Sequence, residues 1–218
     1  SEVGIVSSYL MGLNIVNMRK NLLTHFNKKN NLYLKDSVIK LSKILTNKKL
    51  RNIVMLNYLP ELNDFLFWLQ QLIAESLGKK SKGILPVISS MPKDNHSLMQ
   101  LYLDGPKKNF YTFFNVLNEK SLKKNNNKIL YSHRYLKNKS LAKILYSQKL
   151  AAEKVFLRKK IPFRSFEVLK RSEKTLGELF CFFILETILL GRSLNVNPFD
   201  QPSVELIKKE TKQILINS

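Results

Sequence analysis

Short apolar runs alternate with longer amphipathic segments along this chain, and this alternation constrains the fold more than any other feature. Apolar runs of strand length occur at 51–56, 83–88, 109–116 and 163–169, of which 83–88 is either a strand or an extended loop. The segments between them carry apolar residues at helical spacing. Because strands that alternate with helices are typical of parallel sheets with helical crossovers, we predict an α/β fold. The expected architecture is a three-layer sandwich with a mostly parallel sheet flanked by helices.

Helices and further elements are predicted from the same patterns. Helices are expected over 3–18, 34–46, 61–77, 95–103, 141–158, 173–191 and 202–214. A further strand is predicted over 129–135, and the polar stretch 120–128 is interpreted as a surface loop. No internal repeat and no second core are evident, so we expect one domain over residues 1–218, closed by a C-terminal helical extension.

The chain has a formal net charge of +21, which raises the possibility of a nucleic-acid partner. The lysines are dispersed along the chain in pairs, at Lys28-Lys29, Lys48-Lys49, Lys79-Lys80, Lys123-Lys124 and Lys159-Lys160. They form no single basic stripe, and no aromatic residues are interleaved with them to stack on bases. We therefore expect a solvated basic surface and no specific nucleic-acid partner. The alternative, a basic nucleic-acid-binding protein, predicts tight binding that weakens with salt.

The single cysteine, Cys181, lies inside the most apolar run of the chain, 179–190. That run is too short to span a bilayer and contains Glu186, so we predict a core helix and no membrane association. A lone cysteine cannot form an internal disulfide and is interpreted as a small buried hydrophobic residue. With no signal peptide in view, these features favour a reduced, cytoplasmic location.

The first candidate site is the end of the predicted helix 61–77. Gln71 and Glu75 are four residues apart and therefore share a helix face. Their neighbours are largely apolar, and both burial and the helix C-terminus disfavour a charged carboxylate, which suits a general base. The alternative interpretation is a surface glutamate paired with Lys79.

His96 is the second candidate, in a loop-to-helix segment that begins at Pro92. Asp94 or Asn95 could cap the helix, which would place His96 in its first turn, where the helix dipole favours the neutral imidazole. A neutral histidine there can exchange a proton with a sugar hydroxyl or ring oxygen; the alternative is a polar residue on a capped helix. The three histidines lack neighbours at metal-ligand spacing, so no metal site is expected.

The third candidate is the segment 197–208, which is predicted to open as a loop and to close as a helix. Pro202 suits a first helical turn, and Asp200 or Gln201 could cap it. The apolar residues of this helix are expected to face a core: Val204, Leu206 and Ile207. Gln201 and Lys208 would then bind an anionic polyol.

Three segments of this chain, in the same order, resemble signatures of the glucose-6-phosphate isomerase family. They are QQLxxESxGK with Gln71 and Glu75, HSxxQL with His96, and NPFDQPxVELxK with Gln201 and Lys208. The resemblance implies a fold of the sugar-isomerase (SIS) type that binds sugar phosphates at its strand ends. It also implies interconversion of glucose 6-phosphate and fructose 6-phosphate, a step of glycolysis and gluconeogenesis, without a cofactor.

The resemblance further implies residue roles. Glu75 would move the proton between C1 and C2 through a cis-enediol, His96 and Lys208 would assist ring opening, and Gln71 and Gln201 would hold hydroxyls or phosphate. In the family the histidine comes from the partner subunit, so a homodimer with a shared active site is implied.

Two departures from the family pattern bear on these roles. The family has glycine at the positions of Ser203 and Ile207, and its glycine-rich tract before the histidine is replaced by 88–94. The chain also resembles only the C-terminal portion of the family, so the N-terminal SIS domain, with its phosphate loop and an arginine, is expected to lie outside it. The fragment alone would then be inactive. A non-catalytic sugar-phosphate-binding SIS module is the alternative.

Overall fold

The computed structural model describes residues 2–26, 31–47, 50–117 and 131–217. Four strands, β1 (Asn52–Asn57), β2 (Leu85–Ser90), β3 (Asn109–Val116) and β4 (Phe163–Val168), form one sheet in the order β2-β1-β3-β4. Every neighbouring pair is parallel. The predicted α/β class and parallel sheet are therefore confirmed.

The described residues also form nine α-helices. They are α1 (Glu2–Leu10), α2 (Ile15–Arg19), α3 (Leu32–Thr46), α4 (Asn63–Leu77), α5 (Asp94–Ser97), α6 (Met99–Asp104), α7 (Leu141–Arg158), α8 (Glu173–Ser193) and α9 (Pro202–Asn217).

The strands are apolar on both faces because helices cover both sides of the sheet. Ile53 and Met55 of β1 pack with α3, α4 and α8, whereas Val54 and Leu56 pack on the opposite side with α6 and α7. Phe156 of α7 is fully buried on this second side of the sheet. The arrangement is the three-layer sandwich that the alternation of apolar runs predicted.

Three predicted elements differ from the structure. The helix expected over 3–18 is broken into α1 and α2 at Gly12, whose φ of 82° lies in the left-handed region that favours glycine. The short helix expected over 95–103 is two helices, α5 and α6. The strand expected over 129–135 is wrong where it is described, because 131–136 form a 3-10 helix. Residues 129–130 and the predicted loop 120–128 lie outside the described residues.

Helix α8 is the core helix that its apolar sequence predicted. Its one buried acid, Glu186, accepts hydrogen bonds from Arg164 at 2.6 and 3.0 Å and from Ser37 at 2.6 Å. A buried carboxylate is tolerated when it is paired in this way. Cys181 is half-buried, less enclosed than expected, and burial raises the pKa of its thiol. None of the described helices combines the length and apolar character needed to cross a bilayer.

The direction of the helices determines where the candidate residues lie. Helix α4 follows the carboxyl end of β1 and precedes the amino end of β2, so it runs antiparallel to the strands. Helix α8 follows the carboxyl end of β4 and runs the same way, since Lys82, just after α4, donates to the main-chain oxygen of Leu194 at the end of α8. The C-termini of α4 and α8 therefore meet at the edge of the sheet where the strands begin.

Candidate active site

Glu75 lies in the last turn of α4, on the side of the helix that faces away from the sheet. Leu69, Ile73 and Leu77 of the same helix are buried against the core, which leaves Glu75 half-buried and Gln71 exposed one turn earlier. Gln71 Nε2 donates a hydrogen bond to Glu75 Oε1 at 2.8 Å. The predicted shared face of these two residues is present.

The loop between α8 and α9 brings Gln201 to the same carboxylate. Gln201 Nε2 donates to Glu75 Oε2 at 2.6 Å. The loop is ordered locally, because the backbone N–H of Phe199 donates to Asn197 Oδ1 at 3.1 Å. Both carboxylate oxygens of Glu75 thus accept a bond from a neutral amide group.

Lys79, at the end of α4, binds this loop through two polar contacts. Its Nζ lies 2.8 Å from Asp200 Oδ1 and donates to the main-chain oxygen of Asn197 at 2.5 Å. The hydrogen bond from Lys79 is the main cause that holds the pKa of the Asp200 carboxyl below its usual value. Three residues on, Lys82 Nζ donates to the main-chain oxygen of Leu194 at 2.7 Å. Cations at a helix C-terminus also match the negative end of the helix dipole.

A small open cleft adjoins Glu75, with a volume of about 230 Å³. It is lined by Ala74, Glu75, Gly78, Lys79, Gln201, Pro202, Ser203 and Val204. Ligand pockets usually measure roughly 300–1,000 Å³. This cleft is therefore smaller than an ordinary ligand pocket, and it presents a carboxylate that is oriented by amides.

His96 lies at the other end of the sheet. It belongs to α5, which follows the carboxyl end of β2, whereas Glu75 precedes the amino end of that strand. A strand of six residues spans roughly 17 Å at about 3.3 Å per residue. Within one chain, His96 and Glu75 therefore do not share a cleft.

His96 is exposed, whereas Asp94, two residues earlier, is buried. The Asp94 carboxylate accepts bonds from the Ser89 and Ser97 hydroxyls at 2.8 and 3.0 Å and from the Ser90 N–H at 2.8 Å. Asp94 is thus the first residue of α5 and binds the end of β2, which corrects its interpretation as a helix cap.

Lys208 is on the solvent side of α9 in this chain. Its side chain is 66% exposed and lies 2.7 Å from Glu205 Oε1, so the structure does not bring it to Glu75. The expected core-facing side of this helix is wrong, since Val204, Leu206 and Ile207 are all exposed. Helix α9 has no buried residue among those described, because it extends away from the sandwich.

Lys79 and Asp200 were not recognised as a pair from the sequence. The alternative that paired Lys79 with Glu75 is wrong, since Lys79 reaches Asp200 instead. The sequence does place a lysine directly after the glycine that ends α4 and an acid directly before Gln201, which are the two charges that form this ion pair. Because the two residues are far apart in the sequence, no local pattern predicts that they pair. Within the described parts of the chain, no group of three or more His, Cys, Asp or Glu side chains could hold a metal ion.

Comparison with known proteins identifies relatives over nearly the whole chain. A glucose-6-phosphate isomerase from Mycoplasmopsis pulmonis is 34% identical over 99% of this chain and 52% of that protein. One from Methanocaldococcus jannaschii is 34% identical over 72% of this chain and 38% of that protein. No family model matches the chain. The chain spans about half the length of the curated relatives that align with 99% of it.

Solved structures agree on the fold. A hypothetical protein from Thermus thermophilus superposes with a TM-score of 0.81 at 25% identity, over 94% of this chain and 51% of that one. A glucose-6-phosphate isomerase from Chlamydia trachomatis gives a TM-score of 0.63 at 20% identity, over 76% of this chain and 35% of that one. The sandwich is therefore one that isomerases of this name adopt.

Proposed function

We propose that this chain, a relative of the glucose-6-phosphate isomerases over nearly its whole length, forms part of an aldose–ketose isomerase. The reaction would interconvert glucose 6-phosphate and fructose 6-phosphate. The single observation that carries this proposal is the Glu75 carboxylate, which accepts bonds from Gln71 and Gln201 beside an open cleft. A positioned carboxylate is the group that this proton transfer requires.

Glu75 would act as the base. Its carboxylate takes the proton from C2 of the open-chain aldose while the carbonyl oxygen at C1 gains a proton, which gives a cis-enediol. The same proton is then returned to C1 while the C2 hydroxyl gives up its proton and becomes the carbonyl, which gives the ketose. One proton is gained at O1 and one is lost from O2, so the reaction needs no external oxidant or reductant. Gln71 and Gln201 hold the two oxygens of the base in place and would bind substrate hydroxyls or phosphate.

His96 and Lys208 would assist opening of the sugar ring, with His96 supplied by the partner of a homodimer. Two observations support a shared site. Glu75 and His96 lie at opposite ends of the sheet in one chain, and the cleft beside Glu75 is smaller than ordinary ligand pockets. Helix α9 exposes its apolar residues, which suits burial against further protein in the proposed assembly, where Lys208 would reach the substrate.

The domain assignment belongs to the same proposal. Residues 1–218 would be a C-terminal SIS-type domain with α9 as its helical extension, and an N-terminal SIS domain of the longer protein would supply the phosphate loop. The unpaired Cys181 supports a reduced, cytoplasmic setting.

The test is a coupled assay of fructose 6-phosphate conversion, with the full-length protein that contains this chain. Turnover to glucose 6-phosphate is the expected result. A folded full-length protein that binds sugar phosphates without turnover would reject the enzyme and support a non-catalytic sugar-phosphate-binding module instead.

A further inference from the structure

Lys79 is the cation nearest in sequence to the proposed base, yet its side chain forms an ion pair with a different residue. It follows Gly78, which ends α4, and its side chain is only 11% exposed. In the part of the chain that the structure describes, its ion-pair partner is Asp200, at 2.8 Å, and not Glu75.

A lysine left free at this position would disturb the base. An opposite charge within about 4–6 Å favours the charged form of a carboxylate and weakens it as a proton acceptor. Gln71 and Gln201, which do contact Glu75, are neutral amides and orient the carboxylate without adding a net charge beside it. The Asp200 carboxylate therefore has two effects: it neutralises Lys79, and it anchors the loop that carries Gln201.

We propose that Asp200 is a positioning residue of the Glu75 site, which holds Lys79 away from the base and holds Gln201 against it. This inference rests on the proposed role of Glu75. It assigns a role to an ion pair that does not itself touch the reacting carbon atoms.

The remaining charges around Glu75 do not replace Lys79. On the loop after α4, Lys82 is bound to the main-chain oxygen of Leu194 at 2.7 Å, and Lys80 is exposed. On α9, Glu205 and Lys208 form their own pair at 2.7 Å. Of the residues that line the cleft, only Glu75 and Lys79 are titratable.

Three variants of the full-length protein separate the two effects: Asp200→Asn, Lys79→Met, and the two combined. The readouts are kcat, KM and the pH dependence of kcat/KM with fructose 6-phosphate, with Lys80→Met as the control on an exposed neighbouring lysine. Thermal melting verifies that each variant is folded, which is expected since Asp200 is 52% exposed.

Asp200→Asn frees the positive charge of Lys79, so the acidic limb of the profile moves to lower pH by about one unit. The double variant returns the limb to its wild-type position, because the freed charge is gone. Lys79→Met leaves the Asp200 carboxylate unpaired, so the limb moves the opposite way, to higher pH. It also lowers kcat by roughly tenfold or more, since the Gln201 loop loses its anchor. Lys80→Met changes neither quantity.

An acidic limb that stays in place in a folded, active Asp200→Asn protein overturns the inference. If the wild-type protein has no isomerase activity, the proposed function fails, but the inference is still decided by ¹³C NMR titration of the Glu75 carboxyl, assigned with Glu75→Gln. A lower titration midpoint in Asp200→Asn than in wild type, restored in the double variant, supports it. Equal midpoints reject it.

Discussion

Gln201 and Glu75 are 126 positions apart in the chain, yet Gln201 Nε2 donates to Glu75 Oε2 at 2.6 Å. The other oxygen accepts from Gln71, one turn earlier on the same helix, at 2.8 Å. Among the residues that the structure describes, two amides orient this carboxylate and no cation forms an ion pair with it. This arrangement suits a group that has to accept a proton, and it depends on a loop anchored through Lys79.

Replacing Gln201 tests the orientation of the base. Gln201→Leu removes one bond to a charged acceptor, which is worth about 1.5–3 kcal/mol, so we expect kcat/KM to fall by roughly ten- to a hundredfold. The matched control is Gln213→Leu on the exposed surface of α9, which should change little. Equal steady-state kinetics for the two variants would contradict the role of Gln201.

Mixing two inactive variants tests whether the site is shared between subunits. In a symmetric dimer of Glu75→Gln and His96→Asn chains, one of the two sites regains both intact residues. Random reassembly of the full-length variants should therefore restore about one quarter of wild-type activity. No recovery in mixed dimers, verified by native mass spectrometry, would show that Glu75 and His96 act within one chain.

The buried pair Arg164–Glu186 should be a major source of stability. Its side chains are 13% and 4% exposed, so Arg164→Met leaves a buried carboxylate unpaired and should cost about 3–5 kcal/mol of unfolding free energy. The double variant Arg164→Met with Glu186→Leu should recover most of that loss. Urea denaturation of the full-length protein measures both. Lys40→Met, which breaks the exposed Lys40–Asp36 pair, should cost less than about 1 kcal/mol.

Asp94 should make stability depend on pH. Burial raises the pKa of its carboxyl, but hydrogen bonds from Ser89, Ser97 and Ser90 outweigh burial, and the net shift is downward. A lowered folded-state pKa stabilises the fold above the unfolded value near 4, and this contribution is lost as the pH falls through the folded-state pKa.

We therefore expect Asp94→Asn to destabilise the protein by about 2 kcal/mol at pH 7. The difference from wild type should shrink as the pH falls below about 4. Unfolding free energies across this range measure it, with Asp64→Asn as a control at an exposed helix start. A difference that is independent of pH would contradict the proposed charge dependence.

Much of the fold was predictable because residues that are buried in helices and strands are apolar at regular spacings in the sequence. The four strands were located within two residues of their ends, since both faces of each strand are covered by helices. The break at Gly12 was missed because apolar residues continue at helical spacing on both sides of it. The 3-10 helix at 131–136 was mistaken for a strand because a short apolar and aromatic run does not distinguish the two.

The site was predictable in part. The contact between Gln71 and Glu75 follows from helical spacing alone. The contact with Gln201 depends on where α8 ends, which no local pattern reports. The exposed side of α9 was misjudged because an amphipathic pattern shows which residues share a face but not what protein covers it.

The central claim is that Glu75 transfers the proton of an aldose–ketose isomerisation, and deuterium incorporation tests it most directly. The full-length protein would convert fructose 6-phosphate in D₂O, and NMR would report deuterium at C2 of the glucose 6-phosphate formed. We predict incorporation by wild type and by the control Glu178→Gln, and a loss of roughly a thousandfold in both turnover and exchange for Glu75→Gln. Undiminished exchange in a folded Glu75→Gln protein would contradict the account.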